Sequence, residues 1–168
     1  MPTGTSPQEL RSAFNDNCNL NLTSAAVVTE AFLPLLHRAS FPKVLNITSG
    51  LGSIHNALNT KMMRFPAYGG AKVGMNGMTA HQQAREEDRV KAEHEAADPG
   101  TKLDKGFVKW YIINPGIMKT AFSRYSPRGR DPKESAEPIL RTAFDDKGEF
   151  AYARTWEWVD NEMRVVPW

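Results

Sequence analysis

Tyr68 and Lys72 stand four residues apart in the run Tyr68-Gly69-Gly70-Ala71-Lys72. On a helix that spacing puts both on one face, where a phenol and an amine meet. A free tyrosine, with a pKa near ~10, exchanges its proton poorly at neutral pH. A lysine cation one turn away favours the phenolate and lowers that pKa, which makes the pair an acid/base candidate. The same spacing also arises by chance on many helices, so the pair alone does not decide the chemistry.

Regular elements must position such a pair. Residues 8–38 predict one long helix: Ala25, Val28, Phe32 and Leu35/Leu36 follow the apolar helical spacing, and Pro34 should loosen its last turns. Residues 43–49 predict a buried strand ending in Ser49, and 50–66 a connection. A second helix from Pro66 or Ala67 to about Ala97 carries Tyr68 and Lys72. Its small residues, Gly69, Gly70, Ala71, Gly74 and Gly77, point to close approach of a neighbouring backbone, either a second chain or the chain's own sheet. Its charged second half, Arg85 to Glu95, reads as a solvated face. Turns are expected at Asp98-Pro99-Gly100 and Asp104-Lys105-Gly106, then a strand over 107–113. Asp131 and Pro132 open a helix reaching about Phe144. Glu149 to Arg154 reads as a last strand before an aromatic tail with Trp156, Trp158 and Trp168. Alternating helices and strands predict an α/β fold, a parallel sheet covered on both faces, in a single domain over 1–168. Strand 43–49 would be an apolar edge open to pairing.

Composition narrows the function classes. A formal charge of +2 over 168 residues gives no footprint for nucleic acid or a membrane surface. Cys18 is the sole cysteine, which excludes an internal disulfide and suits a reducing, cytoplasmic setting. No apolar run approaches the ~20 residues of a membrane span, and no leader pattern is evident. His37, His55, His81 and His94 have no metal-ligand spacing with one another or with Cys18. Ser49 lacks the Gly-x-Ser-x-Gly elbow of a hydrolase, since Ile47 and Leu51 hold the flanking positions.

The order of motifs is more specific than any one of them. Asn21-Leu22-Thr23-Ser24 is followed by the strand ending in Ser49, then Tyr68-x-x-x-Lys72. Next come the strand Val108 to Ile113 and Asn114-Pro115-Gly116-Ile117-Met118-Lys119-Thr120. This order resembles the short-chain dehydrogenase/reductase family, from about Leu10 to Trp168. The resemblance is expected to take in the C-terminal two-thirds only. The family's glycine-rich turn, Thr-Gly-x-x-x-Gly-x-Gly, finds no match in Met1-Pro2-Thr3-Gly4-Thr5-Ser6. It implies a partial Rossmann-like, doubly wound parallel sheet with flanking helices. It further implies NAD(P)-linked interconversion of small-molecule carbonyls and alcohols.

By the same resemblance, Tyr68 would give or take the substrate proton. Lys72 would lower its pKa and meet the nicotinamide ribose. Ser49 would orient the substrate oxygen, and Asn21 would hold a relay water. Pro115, Gly116, Ile117 and Thr120 would meet the nicotinamide end of NAD or NADP. Helices 8–38 and 67–97 would pack in a homo-oligomer. Tyr68 lies 19 positions after Ser49, a longer interval than is common in the family, which places extra residues of 54–65 beside the site. Arg124, Arg128 and Arg130 follow in a loop that would close over substrate; they would attract an anion or simply be solvated. The alternative reading is a non-catalytic remnant, or a truncated gene model, that pairs with a full-length relative.

Overall fold

The computed structural model describes residues 6–60, 64–98 and 106–168. The Thr-Gly of residues 3–4, Pro99-Gly100 and Asp104-Lys105 lie outside the described residues. Ser6 opens the chain's first helix by a capping box: its hydroxyl accepts from the Glu9 amide at 3.2 Å while the Glu9 carboxylate accepts from the Ser6 amide at 2.8 Å. Helix α1 (Pro7–Cys18) then runs into a π-helical turn, Asn19–Thr23, and on into α2 (Ser24–Leu36). The single helix expected over 8–38 is therefore interrupted by a π-turn at Asn21, an insertion that widens the backbone spiral and is frequent at functional sites.

Strand β1 (Lys43–Ile47) leads through a 3₁₀ turn, Gly50–Gly52, to the short helix α3 (Ile54–Asn59). Helix α4 (Pro66–Ala96) starts with proline at its first turn, where a missing N–H costs nothing. Strand β2 (Lys109–Asn114), helix α5 (Pro132–Ala143) and the hairpin β3 (Thr155–Val159) and β4 (Glu162–Val165) complete the order. Asp131 caps α5 by accepting from the Lys133 amide at 2.8 Å.

The sheet order is β1-β2-β3-β4, with β1, β2 and β3 parallel and β4 antiparallel. This is the partial Rossmann-like α/β architecture, and β1 forms one edge. β2 is buried from Trp110 onward, which explains the apolar run that marks it: Trp110, Tyr111, Ile112 and Ile113 are each at most 1% exposed. Trp110 packs with Leu33 of α2 and Val108, whereas Tyr111 lies on the side of Asp145 and Tyr152.

The strand expected at 149–154 is not formed. The Asp145 carboxylate instead accepts from the Glu149 and Phe150 amides, each at 2.9 Å, and Ala153 adopts φ 53°. Both features bend the chain out of an extended path. The strand begins at Thr155, so Trp156 and Trp158 belong to the sheet rather than to a tail. Asp160 and Asn161, at φ 51° and 62°, make the two-residue turn of the final hairpin.

Helix α4 faces the sheet with a polar stripe. Tyr68, Lys72, Asn76, Thr79, Gln83 and Glu86 recur at the 3- and 4-residue spacing of one helical face. The Lys72 ammonium donates to the Ile47 carbonyl at 2.8 Å, and Asn76 Nδ2 to the Gly52 carbonyl at 3.0 Å. Thr79 accepts from Asn46 Nδ2 at 2.8 Å. Gln83 and Glu86 accept from the Trp110 and Val108 amides at 2.9 and 3.0 Å. These last two amides precede the part of β2 paired with β3, so the helix supplies the acceptors that a strand otherwise would.

The charged second half of α4 is thus not simply a solvated face. Glu86 is 5% exposed and forms a bidentate pair with Arg89, at 2.6 and 2.9 Å, while Arg89 also donates to the Gly106 carbonyl at 3.0 Å. The glycines of the first half do bring other segments close. A Cβ at Gly69 would lie 3.2 Å from the Leu51 carbonyl oxygen, and one at Gly74 3.0 Å from Leu22. At both positions the approaching segment is the chain's own.

Candidate active site

In an open α/β sheet the crevice outside the carboxyl ends of the strands is where ligands bind. Here β1 and β2 end side by side: Ile47 is in register with Ile113, and the Thr48 amide donates to the Ile113 carbonyl at 2.7 Å. Ser49 follows β1 after Thr48, and Pro115 to Thr120 follow β2.

Ser49 caps the 3₁₀ turn. Its hydroxyl accepts from the Leu51 amide at 3.2 Å, and its carbonyl accepts from the Gly52 amide at 2.8 Å. The first turns of α4 lie against this turn, with the Ser49 side chain near enough to the Tyr68 phenol to act on its pKa. Lys72 follows one helical turn on, with its ammonium 5.8 Å from the centre of the Tyr68 ring. Asn21 projects from the π-turn, where its Nδ2 donates to the Asn17 carbonyl at 3.1 Å. It lines an open cleft of ≈ 400 Å³ together with Ile47 and Lys72. Ser49, Tyr68 and Lys72 are therefore brought together, and Asn21 shares a cleft with Lys72.

The electrostatics differ from the expectation that Lys72 lowers the Tyr68 pKa. Burial pushes the Tyr68 phenol above its ordinary 10.0, and the Ser49 hydrogen bond only partly offsets this. Burial likewise holds the Lys72 ammonium below its ordinary value. The physical reason is that Lys72 points past the ring to the Ile47 carbonyl, in a site that disfavours both charged forms.

The segment after β2 is a built turn rather than a wall of the Asn21–Lys72 cleft. Asn114 Oδ1 accepts from the Gly116 amide at 3.1 Å, and Gly116 takes φ 74°, a conformation that suits glycine. The Ile117 carbonyl accepts from the Arg130 amide, and the Arg130 carbonyl from the Lys119 amide, both at 2.9 Å. Pro115 is buried, Ile117 is exposed, and Thr120 is half-buried with its carbonyl accepting from the Tyr125 amide at 2.8 Å. Of the three loop arginines, Arg130 is structural: its guanidinium donates to the Trp158 carbonyl and packs behind Gly116.

Of the stretch 54–65 expected to carry the extra residues, Ile54–Asn59 form α3. The Ser53 hydroxyl donates to the Pro167 carbonyl at 2.5 Å, and the His55 amide to the Trp168 carbonyl at 3.0 Å. Sequence reasoning did not find Asn76, one helical turn beyond Lys72. The signal was present as a third polar residue in the Tyr68–Lys72 series.

Lys72 uses one of its three N–H donors on Ile47 and faces a cleft with amide and carbonyl neighbours. Such a donor set fits the hydroxyls of a nicotinamide ribose. Among the described residues no helix is long and apolar enough to cross a membrane.

Known proteins are similar to this chain in sequence and in fold. The chain is similar to a short-chain dehydrogenase/reductase of Aspergillus fumigatus, 49% identical over 165 residues, which are 98% of this chain and 60% of the relative. It is similar to a short-chain dehydrogenase of Penicillium roqueforti, 25% identical, over 94% of this chain and 57% of that one. Its fold matches the crystal structure of NADPH-bound carbonyl reductase from chicken fatty liver, with a TM-score of 0.71 and 16% identity over 94% of this chain and 57% of that chain. The chain thus spans about 60% of the length of the curated relatives it matches. The expectation that only the C-terminal two-thirds takes part, without the N-terminal region, is overturned. The match to the family model begins at residue 3, and the Aspergillus relative aligns over 98% of the chain. With residues 3–131 matching the model for short chain dehydrogenases, the chain belongs to the short-chain dehydrogenase family.

Proposed function

We propose that this chain carries the proton-transfer site of an NAD(P)-linked carbonyl/alcohol oxidoreductase. The observation that supports it is the convergence of the Ser49 hydroxyl, the Tyr68 phenol and the Lys72 ammonium at the carboxyl end of β1. In the reductive direction Tyr68 gives its phenolic proton to the carbonyl oxygen, and Ser49 donates a hydrogen bond that orients that oxygen. Lys72 would hold the cofactor ribose with the N–H donors not used on Ile47. Asn21, from the π-turn, holds a water through which Lys72 returns a proton. Pro115, Gly116, Ile117 and Thr120 present backbone and hydroxyl groups to the nicotinamide end. The bound cofactor supplies the hydride. A phenol held protonated by burial suits reduction, which starts from the acid form.

Thermal unfolding with and without saturating NADPH or NADH tests this reading. Ligand at a hundredfold over Kd stabilises by about 2.7 kcal/mol. In a chain of this size that moves Tm upward by roughly 5–10 °C. A transition indifferent to both cofactors would remove NAD(P) from the proposal.

A homo-oligomer is proposed on separate grounds. Val27, Val28, Phe32 and Leu35 of α2 are all more than half exposed, an apolar row at helical spacing. A second copy of the chain would cover it, helix against helix, with α4 beside it. Sedimentation at micromolar concentration should show a dimer that Phe32→Lys dissociates. A monomer unaffected by the substitution would contradict the pairing.

A further inference from the structure

Three successive turns of α4 grip one short stretch of chain. Tyr68 lies beside Ser49, whose side chain acts on the phenol's pKa. Lys72 holds the Ile47 carbonyl, two residues before Ser49, and Asn76 holds the Gly52 carbonyl, three residues after it. The stretch between is stiff, because the Gly52 amide donates back to the Ser49 carbonyl at 2.8 Å and the Ser49 hydroxyl accepts from the Leu51 amide at 3.2 Å. Fixing the Gly52 carbonyl therefore fixes Ser49.

Asn76 is 4% exposed, so this contact is made away from water, where its geometry is enforced. Gly52 is also pressed in place from three sides. A Cβ there would stand 2.6 Å from Thr48 Oγ1, 3.1 Å from Asn76 Nδ2 and 3.1 Å from Lys72 Cβ. The turn admits no side chain at that position and leaves Asn76 a short reach to the carbonyl.

We infer that Asn76 is a positioning residue: through the Gly52 carbonyl it holds the Ser49 hydroxyl in hydrogen-bonding register with the Tyr68 phenol. The inference rests on the oxidoreductase reading for what that pair does, but not for where Asn76 places it. A reacting group displaced by about 1 Å can lose a hundredfold in rate, so a residue that touches neither substrate nor cofactor can still govern kcat.

The test reads the Ser49–Tyr68 contact directly. Tyrosine labelled with ¹³C at Cζ reports the phenol's hydrogen bonding by NMR at neutral pH, and Tyr68→Phe identifies the resonance among the four tyrosines. Ser49→Ala sets the position of an unbonded Tyr68. Asn76→Leu, close to isosteric but without a donor, should move the resonance to or near that position. The double variant Ser49→Ala/Asn76→Leu should move it no further. Gly52→Ala attacks the same contact from the turn and should give the same displacement, which covers the case in which Asn76→Leu does not fold.

Turnover supplies the second readout: kcat of Asn76→Leu falls roughly ten- to a hundredfold while the cofactor KM stays put. A Tyr68 resonance unchanged in both Asn76→Leu and Gly52→Ala overturns the inference, whatever the rates. A displaced resonance in a protein without NAD(P)H turnover supports the positioning role and refutes the proposed reaction instead.

Discussion

On the proposed reaction, Tyr68→Phe is expected to lower NAD(P)H-dependent carbonyl reduction by roughly 10²–10⁴-fold, the usual worth of a positioned proton donor. The substitution removes one hydroxyl and leaves the ring. Among the described contacts the phenolic hydroxyl has only Ser49 acting on it, so the fold should lose no more than the ordinary worth of one hydrogen bond, about 1 kcal/mol. A variant that melts within a few degrees of the parent yet has lost turnover assigns the defect to chemistry. Turnover equal to the parent would dismiss Tyr68 as the acid, even with cofactor binding intact.

The pH profile of the parent carries the same argument. Burial raises the phenol above its ordinary 10.0, so the proton donor is in place across neutral pH. Reduction should therefore hold level through neutrality and fall only in the alkaline range as the phenol titrates. Oxidation of the alcohol needs the phenolate and should climb over that same range. A reductive limb that falls near pH 7 would mean that some other group donates the proton.

Much of this site was legible because its residues are fixed by local rules. Tyr68 and Lys72 are one turn apart whatever surrounds them, and Pro66 marks where their helix begins. Asp131 and Pro132 mark α5 in the same way. The strand carrying Trp110 to Ile113 was legible because burial on both faces demands an unbroken apolar run. What escaped depends on partners distant in sequence. The π-turn at Asn21 escaped because the apolar spacing that predicted the helix, Ala25 to Leu36, begins after it. The segment 149–154 has the composition of a strand, and only the Asp145 carboxylate capturing the Glu149 and Phe150 amides makes it a loop. The polar stripe of α4 escaped for a related reason. Periodicity looks for apolar residues on a buried face, whereas here that face is buried by satisfying carbonyls and amides of the sheet. Glu86 looks solvated in sequence because its partner, the Val108 amide, lies more than twenty residues away.

That stripe leads to the largest stability effect expected in the molecule. Glu86 accepts from two nitrogens of the Arg89 guanidinium, Nε and Nη2, from the Val108 amide at 3.0 Å, and meets His37 Nε2 at 3.1 Å. Glu86→Ala leaves a buried amide without an acceptor and a guanidinium without its main partner. Breaking a buried pair from one side costs about 3–5 kcal/mol. The lower end applies, because Arg89 keeps Glu93 and the Gly106 carbonyl. A loss of about 3 kcal/mol lowers Tm by roughly 6–12 °C in a chain of this length.

The pH dependence separates charge from packing. Burial alone would push the Glu86 carboxyl up, but the Arg89 hydrogen bonds, then the Val108 amide and His37, hold it below its ordinary 4.5. A depressed carboxyl stabilises the fold fully above its unfolded value, and this contribution disappears as pH falls through the folded one. Glu86→Gln keeps the size and one acceptor oxygen but never carries the charge. Its deficit against the parent should be full at pH 7 and shrink as the pH is taken well below 4.5, where the parent carboxyl also becomes neutral. A deficit that stays constant down to acid pH would show that the cluster stabilises through shape and hydrogen bonding alone, with the ion pair contributing nothing.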